Sequence, residues 1–320
     1  MTDQPLVSVI VPAWNAAATL LETLESAGRQ THRNLEILVV DDGATDRTAE
    51  IAAGYCACDS RARLIQTENR GLASARNRAI EEASGEFIAP LDADDIWHPE
   101  KIQRQLATFV EKGPKVGLVY CWYRMIDEEG LVTEEPWGPV FEGDVFARHL
   151  QCSFGTGSSP LIRRNALDGV RYDPALGKAG NQGSEDWLLQ LRIAARWKVA
   201  CTKAFLLGYR TGRANMSSDR ARMMRSHIQM LEIIQRDFPG REPRKIRREL
   251  ARWRARHGLA RFPRQPARAA GEFCSALVAS PLIAGKTIAL GVSQILRPKK
   301  RLDDHPSVGK SFMSLSPDIA

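Results

Sequence analysis

Three carboxylates follow one short apolar run in this sequence. The run Phe87–Leu91 reads as a buried strand, and Asp92, Asp94 and Asp95 come directly after it. A strand delivers the following side chains rigidly to the edge of a sheet, where clustered carboxylates repel one another unless a cation lies among them. Such hard oxygen ligands suit Mg²⁺ or Mn²⁺, ions that proteins commonly share with nucleotide phosphates. The alternative is a solvated acidic turn that caps the helix expected from Pro99.

A second pair of acids, Glu185 and Asp186, begins a well-patterned helix expected from Ser184. Acids in the first turn of a helix interact favourably with the helix dipole, so a capping role accounts for them. The glycine-rich approach at 180–184 favours a different role, a general base at the mouth of a site. A carboxylate placed there could remove the proton from an attacking hydroxyl group. Both roles stay open at this point.

The elements that position these acids alternate between strand and helix over residues 7–121. Near-continuous runs of Val, Ile and Leu are separated by amphipathic stretches. This alternation predicts a mostly parallel α/β sheet covered by helices on both faces. The expected strands are 7–11, 35–40, 63–66, 87–91 and 116–121, and the expected helices are 17–29, 46–55, 71–83 and one that starts at 99.

Polar loops follow each of the first four expected strands. These loops are 12–15, 41–46, 68–71 and 92–95. In parallel sheets, ligands bind outside the carboxyl ends of the strands, so the four loops would share one rim. Asp46 could simply cap a helix and Gly43 could serve a tight turn. Four polar loops on one rim nevertheless favour a nucleotide site.

Several common kinds of nucleotide site and active site are disfavoured by missing motifs. The sequence has no G-x-x-x-x-G-K-[ST], and no G-x-G-x-x-G follows the first strand, which disfavours kinases, ATPases and dehydrogenases. G-x-S-x-G and H-E-x-x-H are absent as well, which disfavours serine hydrolases and zinc proteases. The six cysteines form no spaced Cys/His quartet for zinc. A nucleotide would therefore be held through a metal ion and contacts to the base.

Five ordered blocks resemble the inverting family 2 glycosyltransferases, which have the GT-A nucleotide-sugar-binding fold. The resemblance covers roughly residues 6–220. The blocks are 7–15, 30–31 with 36–46, 69–77, 92–95 and 185–187. The fold class implied is α/β, a GT-A (Rossmann-like) and mostly parallel sheet flanked by helices, with a C-terminal basic helical extension. One departure is Ala44, where the family usually carries Ser.

The resemblance also implies residue roles. Asp186 would be the catalytic base, and Asp94 with Asp92 would bind the metal, Mg²⁺ or Mn²⁺. The donor-binding residues implied are Pro12, Asn15, Asp41, Asp42, Asn69, Gly71, Arg76 and Asp92. The supporting residues implied are Asp95, Glu185, Trp187, Arg210 and Ser217.

The activity implied is a metal-dependent transferase of the EC 2.4 class. It would move a sugar from a nucleotide-diphosphate sugar, with a UDP-sugar favoured, to a hydroxyl of a glycan or lipid-linked acceptor in bacterial-type surface polysaccharide synthesis. One base opposite one metal-held leaving group gives a single displacement with inversion. The alternatives are a sugar-nucleotide-binding protein without turnover and a nucleotidyltransferase. The latter normally needs a basic, glycine-rich triphosphate loop near the first strand, which this sequence lacks.

Charge divides the chain unevenly. Residues 240–320 contain 17 Lys and Arg against six Asp and Glu, whereas the first 239 residues contain 28 against 32. We expect a GT-A domain at 1–239, with nucleotide-sugar binding in 1–121 and the acceptor side and catalytic base in 122–239. A basic amphipathic extension at 240–302 would associate with an anionic membrane surface, and 303–320 would be disordered.

Other roles for the basic stretch are a solvated helix packed on the domain or nucleic-acid binding, which the few interleaved aromatics disfavour. The apolar stretch 273–296 contains Pro281 and Lys286, so an interfacial helical hairpin is favoured over a spanning helix. The N-terminus lacks a secretory pattern, and reduced cysteines fit the cytoplasm. We therefore expect a cytoplasmic protein, peripheral on the inner face of the membrane. A glycine- and serine-rich segment at 151–160 suits a mobile segment near a substrate cleft.

Overall fold

The computed structural model describes residues 4–136, 140–178, 183–212, 219–262, 265–294 and 306–318. Within these ranges, nine strands form one sheet, with helices on both of its faces. The strands are β1 Val7–Ala13, β2 Leu35–Asp42, β3 Ala62–Thr67, β4 Phe87–Pro90, β5 Ile96–Trp97, β6 Val116–Ile126, β7 Val132–Glu134, β8 Leu161–Arg163 and β9 Lys198–Arg210.

Eleven helices accompany the sheet in the described part of the chain. They are α1 Leu20–Gly28, α2 Thr48–Cys58, α3 Leu72–Glu82, α4 Lys101–Lys112, α5 Phe146–His149, α6 Pro174–Lys178, α7 Glu185–Ala194, α8 Arg220–Asp237, α9 Pro243–Arg261, α10 Pro266–Ala279 and α11 Pro281–Gln294. The helices predicted over 17–29, 46–55 and 71–83 correspond to α1, α2 and α3, and the helix predicted from Pro99 is α4.

The strand order is β3-β2-β1-β4-β8-β6-β9-β5, and β7 pairs with β6. Four pairings are parallel, and each joins more residue pairs than any antiparallel pairing does. They are β1 with β2, β1 with β4, β2 with β3, and β6 with β9. This confirms the predicted α/β class. The antiparallel strands β5, β7 and β8 contain only two or three residues each, too few to show a period in the sequence.

Residues of β1 contribute to the core on both sides of the sheet. Val7, Val9 and Val11 face the cluster that includes Leu20 and Leu24 of α1. Ile10 faces the opposite cluster with Leu38, Ala73 and Ile80. A strand buried on both faces reads as an uninterrupted apolar run, which is why the sequence signal for β1 was strong.

The C-terminal helices pack on one another and on the body of the protein. Ile246 and Leu250 of α9 belong to the large core, which also contains residues of α7 and α8. Three small residues, Ala255, Ala276 and Ala284, join α9 to α10 and α11. The apolar stretch 273–296 is not one helix, because α10 ends at Ala279 and α11 begins at Pro281.

Among the described residues, none of the helices has the length and apolar character needed to cross a membrane.

The prediction that 303–320 is disordered is wrong for residues 306–318. Phe312 is buried against Ile96, Ile126 and Val132. The Phe205 N–H donates to the Pro317 carbonyl at 2.7 Å, which fixes the segment beside β9. The reason is apolar packing that composition does not show: Leu315 joins the same cluster, and the Phe312 ring packs over Gly208, where an added Cβ would lie 3.0 Å from it. Residues 303–305 and 319–320 lie outside the described part of the chain.

Candidate active site

The four polar loops predicted to share a rim do lie at one edge of the sheet. Ala13, the last residue of β1, is level with Asp41 of β2. Ile10 of β1 is level with Pro90, so β4 ends on the same side. Parallel pairing therefore brings the loops after β1, β2, β3 and β4 together, as the sequence predicted.

Side-chain to backbone hydrogen bonds tie the first three loops to one another. Asp42 accepts hydrogen bonds from the backbone N–H groups of Arg70, at 2.9 Å, and Gly71, at 2.8 Å. Asp41 Oδ1 accepts one from the Ala44 N–H at 2.9 Å, and Asn15 Oδ1 accepts one from the Thr45 N–H at 2.8 Å. These residues shape the rim, and their predicted donor contacts stay predictions.

Three further residues of these loops, predicted to bind the sugar donor, are Pro12, Asn69 and Gly71. Pro12 is buried within β1, whereas Asn69 is exposed on the loop after β3. Gly71 has a φ of 88°, a left-handed conformation that favours glycine and that lets its N–H reach Asp42.

The acidic loop after β4 divides into three environments. Asp92 forms an ion pair with Arg76, whose side chain is 3% exposed. Asp94 is partly exposed, and burial together with the nearby charge of Asp92 raises its pKa to about 6. Asp95 is fully buried. Its burial, and to a smaller extent the negative charge of Asp94, raise the pKa of Asp95 well above its usual range. The repulsion expected among these carboxylates is therefore present.

Arg210, predicted as a supporting residue, holds the acidic loop in place. Its N–H donates to Asp95 Oδ1 at 3.0 Å, and its Nε donates to the Asp94 carbonyl at 2.8 Å. Its other end donates to Glu22 of α1 at 2.6 Å. Arg210 itself is 4% exposed, so it stabilises the acidic loop from the buried side.

Two carboxylates, Asp92 and Asp94, are the candidates for holding a divalent ion. Within the described residues, no group of three His, Cys, Asp or Glu side chains converges on one point. Mg²⁺ and Mn²⁺ sites of nucleotide-using proteins commonly take one or two carboxylates and complete their coordination with phosphate and water oxygens. The residues therefore fit an ion that binds together with a diphosphate.

Asp186 and Glu185 have different roles, although they are adjacent in the first turn of α7. Glu185 is buried and turns back to accept a hydrogen bond from the Gly183 N–H at 2.7 Å, which fixes the approach to the helix. Asp186 is partly exposed and accepts a hydrogen bond from the Trp187 N–H at 2.8 Å. Burial raises the pKa of Asp186 to about 6, and the positive charge of Arg76 opposes that rise. A carboxyl group of this kind can exchange a proton near neutral pH.

The remaining supporting residues predicted with the base are Trp187 and Ser217. Trp187 is buried, and its Nε1–H donates to the His149 carbonyl at 2.8 Å. Ser217 lies outside the described residues.

Three residues near the ion pair were not found from the sequence. The Tyr172 ring lies under the Arg76 guanidinium, with 5.0 Å between the guanidinium carbon and the ring centroid. Ser158 Oγ accepts a hydrogen bond from the Asp92 N–H at 2.9 Å. An added Cβ at Gly157 would lie 2.7 Å from Asp92 Oδ2. Gly157 and Ser158 belong to the glycine- and serine-rich segment 151–160, which was predicted to lie near a substrate cleft, but no local pattern indicates that they or Tyr172 approach this ion pair.

The prediction of a mobile segment at 151–160 is wrong for its second half. Ser158 and Ser159 are fully buried. Their carbonyl groups accept hydrogen bonds from Trp97 Nε1 at 3.1 Å and from Gln105 Nε2 at 2.9 Å. Glycine and serine here permit close packing of the backbone against the acidic loop, because small side chains leave room for that approach.

Comparison with known proteins identifies related sequences and folds. The sequence profile of glycosyl transferase family 2 matches residues 8–171. An uncharacterized glycosyltransferase of Rickettsia felis is 39% identical over 145 residues, which are 45% of this chain and 24% of that protein. The amylovoran biosynthesis glycosyltransferase AmsB of Erwinia amylovora is 30% identical over 175 residues, 52% of this chain and 58% of that protein. This chain thus spans less than two thirds of these relatives.

Two solved structures share the fold. S. aureus TarS 1-349 in complex with UDP-GlcNAc has a TM-score of 0.66 at 18% identity, covering 88% of this chain and 83% of that one. The mannosyltransferase PcManGT from Pyrobaculum calidifontis, in complex with GDP-Man and Mn²⁺, has a TM-score of 0.60 at 24% identity, covering 92% and 82%. At these identities the likeness shows the fold, which is the predicted GT-A type.

Proposed function

This chain belongs to glycosyl transferase family 2, and we propose that it transfers a sugar from a nucleotide-diphosphate sugar to a hydroxyl acceptor with inversion. One observation carries the proposal. The buried Arg76 pairs with Asp92 of the acidic loop, and the charges of both Arg76 and Asp92 act on the partly exposed carboxylate of Asp186. This closeness supports a proposed base beside a proposed donor-side site.

The proposed base is Asp186. An acceptor hydroxyl is a weak nucleophile until its proton is removed during attack, and a carboxylate positioned within hydrogen-bond reach can remove it. With a pKa near 6, Asp186 is mostly ionised at neutral pH and still basic enough to accept a proton. Glu185 is engaged with Gly183, so Asp186 is the better of the two acids for this role.

The proposed donor side is the rim formed by the loops after β1, β2, β3 and β4. Asp94 and Asp92 would hold Mg²⁺ or Mn²⁺ together with the donor diphosphate. When bound, the ion supplies charge that offsets the negative charge growing on the leaving group. The Mn²⁺ and GDP-Man in the PcManGT structure support this proposal by fold likeness. The rim residues Pro12, Asn15, Asp41, Asp42 and Asn69 would contact the nucleoside.

We propose a UDP-sugar as the donor and a glycan or lipid-linked molecule as the acceptor. The UDP-GlcNAc in the TarS structure supports the first part. The name of AmsB, a relative that acts in amylovoran biosynthesis, supports an acceptor in bacterial-type surface polysaccharide synthesis.

A membrane-facing role for the C-terminal helices is part of the proposal. Three apolar side chains are exposed around the α10–α11 turn, namely Leu277 at 43%, Val278 at 88% and Leu282 at 68%. We call these three residues the apolar tip. Phe262, where α9 ends, is exposed as well, and so are Arg256 of α9 and Arg268 of α10. Exposed apolar side chains and cations on one helical extension suit an anionic bilayer surface.

Position on the inner face of the membrane would place the site close to a lipid-linked acceptor. Between residues 262 and 302 the sequence contains one acid, Glu272, whose Oε1 lies 3.0 Å from His257 Nδ1. The apolar tip is therefore not opposed by exposed negative charge from its own helices. The basic run at 297–301, predicted to add to the anchor, lies outside the described residues.

The experiment that tests the proposed function is a thermal-shift screen of UDP- and GDP-sugars with and without Mn²⁺, followed by a measurement of nucleoside diphosphate release. We expect one donor to raise the melting temperature in the presence of Mn²⁺ and to be turned over when a lipid extract is added. A shift without release under any acceptor condition would favour a binding protein without turnover. Release of pyrophosphate from a nucleoside triphosphate and a sugar phosphate would instead favour a nucleotidyltransferase.

A further inference from the structure

The basic helix α9 is built into the body of the protein, although its charge suggests an appendage. Ile246 and Leu250 are 0% and 3% exposed and pack in the same core as α7 and α8. Glu249 of α9 is 1% exposed and accepts a hydrogen bond from Gln151 Nε2 at 3.0 Å. The helix therefore touches the part of the chain that surrounds the proposed base.

Three aromatic rings connect α9 to α7. The Trp253 ring of α9 stacks on the His227 ring of α8, with 4.4 Å between centroids and 28° between planes. The His227 ring and the Trp187 ring of α7 form a T-shaped contact, with 4.7 Å between centroids and 81° between planes. Trp187 directly follows Asp186 and supplies the N–H that Asp186 Oδ1 accepts. We call Trp253, His227 and Trp187 the ring stack.

Two members of the ring stack have further partners at the start of α7. His227 Nδ1 lies 3.3 Å from Ser184 Oγ, and Ser184 is the residue immediately before α7. Trp187, in the first turn itself, donates from Nε1 to the His149 carbonyl of α5 at 2.8 Å. Asp186 thus lies between Ser184 and Trp187, and both of these residues contact partners outside α7. We therefore expect the direction of the Asp186 carboxylate to depend on those partners.

We propose that His227 and Trp253 are positioning residues for the base, so that α9 supplies one positioning side chain, Trp253, in addition to its basic surface. This inference rests on the proposed function. Orientation of a reacting group contributes strongly to rate, and a misplacement of about 1 Å can cost roughly a hundredfold. Loss of the Trp253 ring should let His227 and Trp187 relax and leave Asp186 poorly aimed, without touching the donor rim.

The test uses the full chain with Trp253→Ala, Trp253→Phe and the control Leu250→Ala. With the donor selected by the screen, we expect Trp253→Ala to lower kcat by about tenfold or more, while the affinity for UDP with Mn²⁺ changes less than twofold. Trp253→Phe keeps a ring in the stack and should restore most of kcat. Leu250→Ala removes core packing from the same helix, so it should lower the melting temperature with kcat nearly unchanged.

Two results would overturn the inference. One is an unchanged kcat in Trp253→Ala, and the other is an equal loss of kcat in Leu250→Ala, which would mean that α9 contributes only stability. A double-mutant cycle of melting temperatures for Trp253→Ala and Trp187→Phe adds a readout that needs no turnover. We expect the two shifts to be non-additive, and strict additivity would contradict the ring stack. A wild-type protein inactive with every nucleotide sugar would count against the proposed function, a result that the variants cannot imitate.

Discussion

Arg76 pairs with the Asp92 carboxylate, and its positive charge also partly offsets the rise that burial causes in the pKa of Asp186. Its guanidinium lies over the Tyr172 ring and its side chain is almost fully buried. Within the described chain, the Arg76 Nε–H has no hydrogen-bond partner. One buried cation thus acts electrostatically on both the acidic loop and the proposed base.

Substitution of Gly157 by Ala should disturb this ion pair. An added Cβ would lie 2.7 Å from Asp92 Oδ2 and 2.8 Å from Arg76 Nη2, so one of the two side chains must move. We expect a loss of about 1–3 kcal/mol in the free energy of unfolding and a clear fall in turnover. Urea denaturation and nucleoside diphosphate release measure the two effects.

The control for that variant is Gly54→Ala in α2. An added Cβ at Gly54 meets no atom within 4 Å, and Ala is favoured over Gly in a helix by about 1 kcal/mol. This variant should be slightly more stable and fully active. Normal turnover in Gly157→Ala would show that the close approach of the backbone to the ion pair is not required.

Asp186→Asn should abolish sugar transfer and leave donor binding intact. The amide cannot accept the proton of the acceptor, but the donor rim is untouched. The folded protein raises the pKa of Asp186 to about 6, so folding favours its protonated form, and the ionised carboxylate is destabilising above that pH. The neutral amide should therefore raise the free energy of unfolding at pH 7.5 by on the order of 1 kcal/mol, after allowance for partial exposure. Retained turnover with weak donor binding would contradict this role.

The pH dependence of kcat should have an acidic limb near pH 6. Asp186 must be ionised to act as a base, and burial raises its pKa to about 6. Below that pH, kcat with saturating donor should fall about tenfold per pH unit. Asp94 has a similar pKa, so its protonation should weaken donor affinity in Mn²⁺ over the same range. Measuring kcat and donor affinity separately distinguishes the two groups, and a flat kcat between pH 5 and 7.5 would exclude Asp186 as the base.

Asp94→Ala should remove the contribution of Mn²⁺ to donor binding. Loss of one of two carboxylate ligands should weaken metal-dependent affinity by about tenfold or more, since even partners of ligands contribute that much. Calorimetry of UDP with and without Mn²⁺ measures the difference. Asp144→Ala serves as the control, because that carboxylate pairs with Arg241 at the surface and is 72% exposed. Equal enhancement by Mn²⁺ in wild type and Asp94→Ala would move the proposed metal site elsewhere.

The apolar tip should govern binding to anionic vesicles. Replacing both Val278 and Leu282 by Glu removes two apolar side chains and adds repulsion, so we expect at least a tenfold loss in co-sedimentation with phosphatidylglycerol vesicles. Turnover of a soluble donor should be unchanged. Val110→Glu is the matched control, since Val110 is 85% exposed on α4, in the GT-A domain. Equal binding of all three proteins, or binding that is insensitive to salt, would contradict the proposed surface.

The parallel half of the fold was predictable because its signals are local. The strands β1, β2 and β4 are buried on both faces, so each reads as an apolar run, and polar loops follow at their carboxyl ends. The same reasoning predicted Asp92 and Asp94 as site residues, whereas Asp186 was predicted from its place in the first turn of a helix and from the family resemblance. The chemical roles of all three stay predictions.

What the sequence could not reveal depends on contacts between distant residues. Ser158 and Tyr172 approach Asp92 and Arg76 from segments about 65 to 95 residues away, without any periodic pattern. The buried state of Phe312 likewise depends on room above Gly208. Composition predicted mobility for 151–160, which contains Ser158, and disorder for 303–320, which contains Phe312. It did so because composition does not show which backbone groups find hydrogen-bond partners.

The docked segment at 306–318 has a practical consequence for engineering. A chain shortened before Phe312 would keep every residue proposed for chemistry, yet it would open an apolar slot beside Ile96, the residue that follows Asp95. The Asp318 carboxylate also reaches Arg104 of α4 at 2.6 Å. A reporter or affinity tag fused after this segment could disturb the contact between Phe312 and Ile96, which is adjacent to the acidic loop. Altered activity in such a fusion would therefore not imply a defect in the donor rim.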